Sequence, residues 1–113
     1  MYNLANTVPS QYWNIHIAGD IKSAEDFARK FTFVKGWCVQ LSPATYVYTG
    51  GLESGMIARV IRYPRFPKEV DVLDAEVLDF AQKLAEELCQ KSFTIESSTE
   101  SKYYESDNPL HKK

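Results

Sequence analysis

The apolar residues of this chain alternate between the spacing of a β-strand and that of an α-helix, and this alternation limits the fold more than any other feature. Trp13, Ile15 and Ile17 recur at every second position, which is typical of a strand with one buried face. The next apolar residues recur every three or four positions and predict a helix over residues 24–34, with Ser23 as its N-cap. They are Ala24, Phe27, Ala28, Phe31 and Val34.

A second helix is predicted over residues 71–90, where the apolar side chains again follow helical spacing. They are Leu73, Val77, Phe80, Leu84 and Leu88. Segments rich in β-branched and aromatic residues predict further strands at 37–41, 45–49, 56–63 and 92–96. Ser42 and Pro43 are expected to interrupt the β-structure between the first two of these strands. Residues 50–55 (GGLESG) indicate a long hairpin turn.

The order strand, helix, two or three strands, helix, strand predicts an α+β protein, a ferredoxin-like two-layer sandwich. An antiparallel sheet of four or five strands would have both helices on one face. With 113 residues, the chain has room for one domain, which we place at residues 12–96. Residues 1–11 are predicted to form an irregular N-terminal arm, and residues 97–113 a polar C-terminal tail that begins with an edge strand around residues 102–105.

The composition argues against several classes of protein. A hydrophobic content of 44% and a charged content of 25% are ordinary for a globular domain, and the sequence has neither a membrane-length apolar run nor the pattern of a signal peptide. The net charge of −2 argues against a dedicated nucleic-acid-binding protein. Cys38 and Cys89 fit no metal-binding or disulfide pattern and are expected to pack among apolar residues. We therefore predict a cytoplasmic protein without metal, cofactor or membrane contact.

One face of the predicted sheet has no helices, and its composition indicates that it binds something. In the strand at 56–63, Met56, Ala58 and Val60 would face the helices, so the alternate residues point to the uncovered side. These are Ile57, Arg59, Ile61 and Tyr63, which His16, Gln40, Tyr46 and Tyr48 would join from other strands. Such a mixed face is too apolar to remain in water. A second copy of the chain, a ligand or foreign protein, and the chain's own ends are the alternative partners.

A site for a small anionic ligand is predicted from the glycine-rich turn and the aromatic and basic residues that follow it. The predicted ligand-binding residues are Tyr48, Gly50, Gly51, Tyr63, Arg65, Arg59 and His16. Arg65 would contact negative charge, a tyrosine would stack on a base, and glycine amides would approach an anion. The alternative is that the arginines pair with acidic residues of the second helix.

His16 has two further interpretations. It could act as a general base with Asp20 or Glu53 as its partner, because imidazole titrates near neutral pH. A histidine between isoleucines in a strand also fits a structural role, with its ring nitrogens satisfied by neighbours. No recognised motif places a serine, histidine and aspartate set around it, so no catalytic residue is predicted.

Four segments together resemble a group of small proteins from tailed phages and prophages. They are IHIAGD (15–20), GWCVQLSPATYVYTGG (36–51), ESG (53–55) and IRYPRFP (61–67). The resemblance spans roughly residues 13–95 and includes the hairpin glycines, Tyr63 and Arg65, whereas Arg59 is outside its pattern. It implies a phage accessory protein that acts on the host, by sequestering a nucleotide signal of an antiviral system or by blocking a host or defence protein.

These features lead to the prediction of a non-enzymatic phage accessory protein that self-associates and sequesters a small anionic ligand of the nucleotide type. The alternative is an inhibitor that docks on a host or defence protein through its open sheet face or a sheet edge. A small enzyme that uses His16 fits the sequence less well, because no catalytic motif is present. RNA binding also fits less well, because the third strand lacks the aromatic residues of RNA-recognition modules.

Overall fold

The chain folds into five strands and two helices, and the computed structural model describes residues 1–108. In chain order the elements are β1 (Tyr12–Ala18), α1 (Ile21–Lys35), β2 (Gln40–Tyr48), β3 (Gly51–Ile61), α2 (Val70–Glu87), β4 (Ser92–Ser97) and β5 (Ser101–Glu105). The end of the predicted C-terminal tail, residues 109–113, lies outside the described residues.

All five strands form one antiparallel sheet in the order β2–β3–β1–β4–β5, and the two helices pack against one of its faces. This arrangement confirms the predicted α+β class and the ferredoxin-like order of elements. The addition to that plan is β5, which pairs with β4 at one edge of the sheet. It lies in the segment predicted as a polar tail, where an edge strand was expected.

The core lies between the helices and the three central strands. The largest fully buried side chains are Trp13, Phe80, Ile15, Met56, Leu84, Val60 and Val77. Trp13 also donates a hydrogen bond from Nε1 to Asp74 Oδ1 (3.0 Å), so its polar end has a partner although the ring is buried. The apolar stripe predicted for α1 ends earlier than expected, because Val34 is 85% exposed. The predicted packing of Cys38 and Cys89 is also wrong, since both cysteines are exposed.

The start of α1 differs from the prediction by three residues. The N-cap is Asp20 rather than Ser23, and the Asp20 carboxylate accepts hydrogen bonds from Ser23 Oγ (2.8 Å) and Ser23 N (3.0 Å). These two hydrogen bonds hold the pKa of Asp20 below its usual value, and the one from the Ser23 hydroxyl has the larger effect. Ser23 therefore lies in the first turn of the helix, where it contacts the cap instead of forming it.

The β2–β3 hairpin differs from the prediction in two ways. Pro43 does not interrupt β2, because β2 is an edge strand and the missing amide of a proline is tolerated there. The turn is also tight: Tyr48 pairs with Gly51, so that only Thr49 and Gly50 connect the strands. Gly50 has φ +81°, a left-handed conformation that favours glycine in such turns. Of the residues 50–55 predicted as a long turn, all but Gly50 therefore belong to β3, and residues 37–39 precede β2.

The N-terminal arm does not cover the sheet. Tyr2 and Leu4 are 102% and 87% exposed, and the arm is joined to the domain by a hydrogen bond from Asn6 Nδ2 to the Pro64 carbonyl (2.7 Å). The N-terminal end of the chain is therefore not the partner of the uncovered sheet face. Among residues 1–108, no helix is long and apolar enough to cross a membrane.

Candidate functional site

The face of the sheet opposite the helices, here called the open face, contains the candidate site. As predicted, Met56, Ala58 and Val60 are buried towards the helices, so Ile57, Arg59 and Ile61 lie on the open face. The strand register places Arg59 beside Asn14 and Asn14 beside Glu96. Three neighbouring strands thus bring polar side chains together, although the residues are far apart in the sequence.

A continuous set of hydrogen bonds crosses the open face. Arg59 Nη1 donates to Asn14 Oδ1 (3.1 Å), and Asn14 Nδ2 donates to Glu96 Oε1 (3.3 Å). The same Glu96 oxygen lies 2.9 Å from His16 Nε2. Both contacts use Oε1, and among residues 1–108 the second carboxylate oxygen of Glu96 has no hydrogen bond. We refer to Arg59, Asn14, Glu96, His16 and Tyr46 as the open-face network.

Tyr46 joins this network by reaching across Gly55. A Cβ at Gly55 would lie 3.0 Å from Tyr46 Cε2, so the tyrosine ring occupies space that any other residue would fill. The Tyr46 hydroxyl donates to the Met56 carbonyl (3.0 Å) and lies 3.1 Å from His16 Nδ1. Burial raises the pKa of Tyr46, so the hydroxyl remains protonated near neutral pH.

His16 is therefore held at both ring nitrogens. The Tyr46 hydroxyl contacts Nδ1 (3.1 Å), and the Glu96 carboxylate, which can only accept, contacts Nε2 (2.9 Å). Neither Asp20 nor Glu53 is the partner expected for a general base, because the ring nitrogens contact Tyr46 and Glu96 instead. The arrangement fits a histidine that orients Glu96 better than one that takes a proton from a substrate.

A small concavity borders the network on the open face. It has a volume of about 190 Å³ and is lined by His16, Tyr46, Glu53, Thr94 and Tyr103 among others. Pockets that enclose small organic ligands usually have volumes of ~300–1,000 Å³. The concavity in one copy of the chain is therefore smaller than such pockets.

The structure separates the two halves of the ligand site predicted from the sequence. Tyr48, Gly50 and Gly51 are at the tip of the β2–β3 hairpin, whereas Tyr63 and Arg65 follow the other end of β3. The eleven residues of β3 cover roughly 30 Å at about 3.3 Å per residue. One pocket within one chain cannot contain both groups, and this part of the prediction is corrected. Of the predicted residues, His16 and Arg59 are the two that lie in the open-face network.

The arginines and Tyr63 have separate local partners. The Arg59 guanidinium lies over the Tyr12 ring (4.8 Å to its centre), Arg62 Nε donates to the Lys68 carbonyl (3.0 Å), and Arg65 lies over Phe66 (5.3 Å). The alternative in which these arginines pair with acids of the second helix is thus not observed among residues 1–108. Tyr63 leaves the sheet after β3 and forms a hydrogen bond with Cys38 (3.4 Å). This hydrogen bond and partial burial raise the pKa of Tyr63 to about 12.

Sequence reasoning missed Asn14 and Glu96, the two residues at the centre of the network. The signal for both was present, since each alternates with buried residues of its strand: Asn14 between Trp13 and Ile15, and Glu96 after Ile95. Within the described part of the chain, no group of three or more histidine, cysteine, aspartate or glutamate side chains could hold a metal ion.

The ionisation of Glu96 gives a testable dependence of stability on pH. Hydrogen bonds from His16 and then Asn14 hold the pKa of Glu96 below its usual value. A carboxylate whose pKa is lower in the folded state stabilises the fold above its unfolded-state pKa, and this contribution is lost as the pH falls through the folded-state pKa. In urea denaturation at a series of pH values, wild type should unfold at higher urea than Glu96→Gln at neutral pH. The difference should disappear in acid; midpoints that differ equally at every pH would contradict this assignment.

No protein-family model and no curated protein matches this chain. Among solved structures, a phage SAM lyase in the apo state has a TM-score of 0.67 at 14% identity, over 94% of this chain and 98% of that chain. A phage SAM lyase in complex with S-methyl-5′-thioadenosine has a TM-score of 0.66 at 14% identity, over 95% and 96% of the two chains. Both are enzymes.

This finding contradicts the prediction of a non-enzymatic protein. The neighbours share the fold of this chain over almost their whole length, and they are enzymes rather than passive binding proteins. Both are named as phage proteins. An identity of 14% establishes the common fold and no more.

Proposed function

We propose that this chain is a phage accessory enzyme that cleaves S-adenosylmethionine and releases S-methyl-5′-thioadenosine. The observation that carries the proposal is the open-face network, which places a carboxylate on the uncovered sheet of a fold shared with SAM lyases. The ligand is then an adenosine-containing sulfonium cation rather than the anionic nucleotide expected from the sequence. Removal of this methyl donor would act against host defences that depend on methylation.

The chemistry requires one bond to break between the sulfonium sulfur and the γ-carbon of the methionine part. The electron pair of that bond moves to sulfur, which becomes the neutral thioether of S-methyl-5′-thioadenosine. The substrate's own α-carboxylate can attack the γ-carbon as the bond breaks, and the product is homoserine lactone. The atoms and charges of this reaction balance without added water, an oxidant or a proton transfer. It suits the open-face network, because both nitrogens of His16 are already engaged and no base is needed.

In this reaction Glu96 provides negative charge beside the sulfonium. Its lowered pKa keeps the carboxylate ionised near neutral pH, and His16 and Asn14 hold its Oε1, which leaves the other oxygen free to contact the substrate. Arg59, fixed by Asn14 and Tyr12, is placed to orient the substrate's carboxylate. Tyr46 acts indirectly, because its hydroxyl holds the His16 ring, which in turn contacts Glu96.

The same chemistry favours a site covered by a second copy of the chain. Carboxylate and sulfonium charges cancel as the lactone forms, so exclusion of water accelerates the step. The concavity beside the network is about 190 Å³ and open in one copy, which is small for an adenine nucleoside. We therefore retain self-association as part of the proposal, with the half-buried Ile57 and Ile61 of the open face among the contacts.

The test is to incubate the purified chain with S-adenosylmethionine and to follow the products by liquid chromatography and mass spectrometry. Because S-adenosylmethionine decomposes slowly by itself, a heat-denatured sample provides the background rate. We expect S-methyl-5′-thioadenosine and homoserine lactone in equal amounts, formed in proportion to the amount of protein. In H₂¹⁸O the lactone should contain no label when it is trapped early. Product formation no faster than the background would refute the proposed function.

A further inference from the structure

The N-terminal arm presents large apolar side chains that its own domain does not cover. Tyr2 and Leu4 are almost fully exposed, although residues 6–11 of the same arm are attached to the domain. The attachments are the hydrogen bonds from Asn6 Nδ2 to the Pro64 carbonyl (2.7 Å) and from Arg62 N to the Gln11 carbonyl (2.9 Å). The beginning of the arm therefore projects from a fixed point beside Pro64 with its apolar residues in water.

A groove suited to such side chains lies beside the same attachment point. Its lining includes Trp37, Cys38, Tyr63 and Phe66, with the Cys38 thiol 3.4 Å from the Tyr63 hydroxyl, and its volume is about 250 Å³. Phe66 is 60% exposed, so part of this lining is an uncovered apolar surface. We refer to this feature as the Trp37–Phe66 groove.

The charges at the edge of the groove cancel each other. Lys68 Nζ donates to both oxygens of Glu76 (3.0 and 3.2 Å), and Trp37 Nε1 donates to the same carboxylate (3.1 Å). The groove therefore has aromatic side chains and a neutralised ion pair at this edge, while the Arg65 guanidinium lies over Phe66 (5.3 Å to its centre). Residues 2–5 of the arm (YNLA) are uncharged, which makes them a matching occupant.

We propose that two copies of the chain exchange their N-terminal arms, so that Tyr2 and Leu4 of each copy pack in the Trp37–Phe66 groove of the other. Tyr2 and Leu4 are exposed, so they do not fill the groove of their own chain. From Asn6 the arm can reach at most about 17 Å, at roughly 3.4 Å per residue. A two-fold axis close to Pro64 brings the partner's groove within that distance and makes the contact reciprocal.

The area that arm exchange would bury overlaps the range of specific interfaces. Large apolar and aromatic side chains each bury on the order of 100–200 Å². Two arms and the two grooves that receive them would then remove roughly 800–1,600 Å² from water, whereas standard specific interfaces bury about 1,200–2,000 Å². This interface is separate from the open face and does not rest on the proposed function.

Disulfide trapping tests the arm exchange directly, because Cys38 lies in the groove and is exposed. The full chain with Leu4→Cys is treated with a mild oxidant and examined on a non-reducing gel. We expect a covalent dimer as the main species. The dimer should be lost when Cys38→Ser is added and should persist when Cys89→Ser is added, since Cys89 is also exposed but lies at the end of α2.

Each other result would overturn the proposal. A fast-migrating monomer, with an internal disulfide between Cys38 and the introduced cysteine, would mean that the arm occupies the groove of its own chain. The absence of trapping, or a dimer that forms through Cys89, would mean that the arm does not reach the groove. Sedimentation equilibrium gives a second readout: Leu4→Asp should weaken dimerisation about tenfold or more, whereas Asn3→Asp, with the same added charge on the same arm, should not. Equal affinities for the two variants would also refute arm exchange.

Discussion

Replacement of Glu96 by glutamine is expected to lower kcat/KM for S-adenosylmethionine cleavage by about 10²–10³-fold, the usual cost of removing one group that stabilises charge in a transition state. Glutamine has the size of glutamate and can still contact Asn14, but it has no charge to oppose the sulfonium. Because 41% of the Glu96 side chain is accessible to solvent, we expect the fold to tolerate glutamine at this position. Initial rates of S-methyl-5′-thioadenosine formation over a range of substrate concentrations provide the measurement.

Glu100→Gln is the matched control for this variant. Glu100 lies just beyond β4, and its carboxylate contacts Lys102 (3.4 Å) rather than the open-face network. This variant loses the same charge from the same part of the chain, so its kcat/KM should stay close to that of wild type. A Glu96→Gln protein with wild-type far-UV circular dichroism and wild-type kinetics would remove Glu96 from the proposed mechanism. Equal losses in both variants would indicate a general effect of protein charge.

The fold was largely predictable because its helices and inner strands have strong periodic patterns. Val77, Phe80 and Leu84 are fully buried along α2, as their spacing indicated. The errors arose where the structural effect of a residue depends on the position of its strand in the sheet. Pro43 suggested a break, but a proline is tolerated in an edge strand, and whether a strand lies at an edge is decided by the whole topology.

The hairpin turn shows how one local error displaced a predicted site. The segment GGLESG has the composition of a loop, but only Thr49 and Gly50 lie in the turn. With Gly51 in β3, Tyr48 and Tyr63 are at opposite ends of a long strand. Composition indicated which residues could bind a nucleotide, whereas the register determined that they cannot meet in one chain.

The contacts of the open-face network could not be predicted from the sequence because they exist only through strand pairing. Asn14 and Glu96 are 82 positions apart and become neighbours through the β1–β4 register. Strand alternation placed His16 and Arg59 on the correct face, but it could not show that Glu96 lies beside Asn14 and His16. The prediction of a non-enzymatic protein followed from the absence of a local motif, and a site assembled across four strands has none.

Replacement of Gly55 by alanine is expected to destabilise the protein by about 2–3 kcal/mol, the usual cost of overpacking a buried position. Gly55 is buried in β3 opposite Ala18, and a Cβ there would overlap the Ile17 carbonyl and lie 2.9 Å from Ala18 Cα. Both atoms are backbone of β1 and cannot move without disturbing the central strand pair. Thermal denaturation should show a decrease in Tm of roughly 10–15 °C.

Gly51→Ala is the control that separates this backbone clash from the loss of glycine itself. Gly51 lies on the same face of β3, but its Cβ would meet the ring of Tyr48, whose Cζ would be 2.8 Å away. Tyr48 is half exposed and can rotate into solvent, so Gly51→Ala should change Tm little. Gly55→Ala should also lose more activity than Gly51→Ala at temperatures where both are folded, because the new methyl group displaces the Tyr46 ring from His16. Equal stability and activity in the two variants would show that the close approach of β1 and β3 at Gly55 does not shape the site.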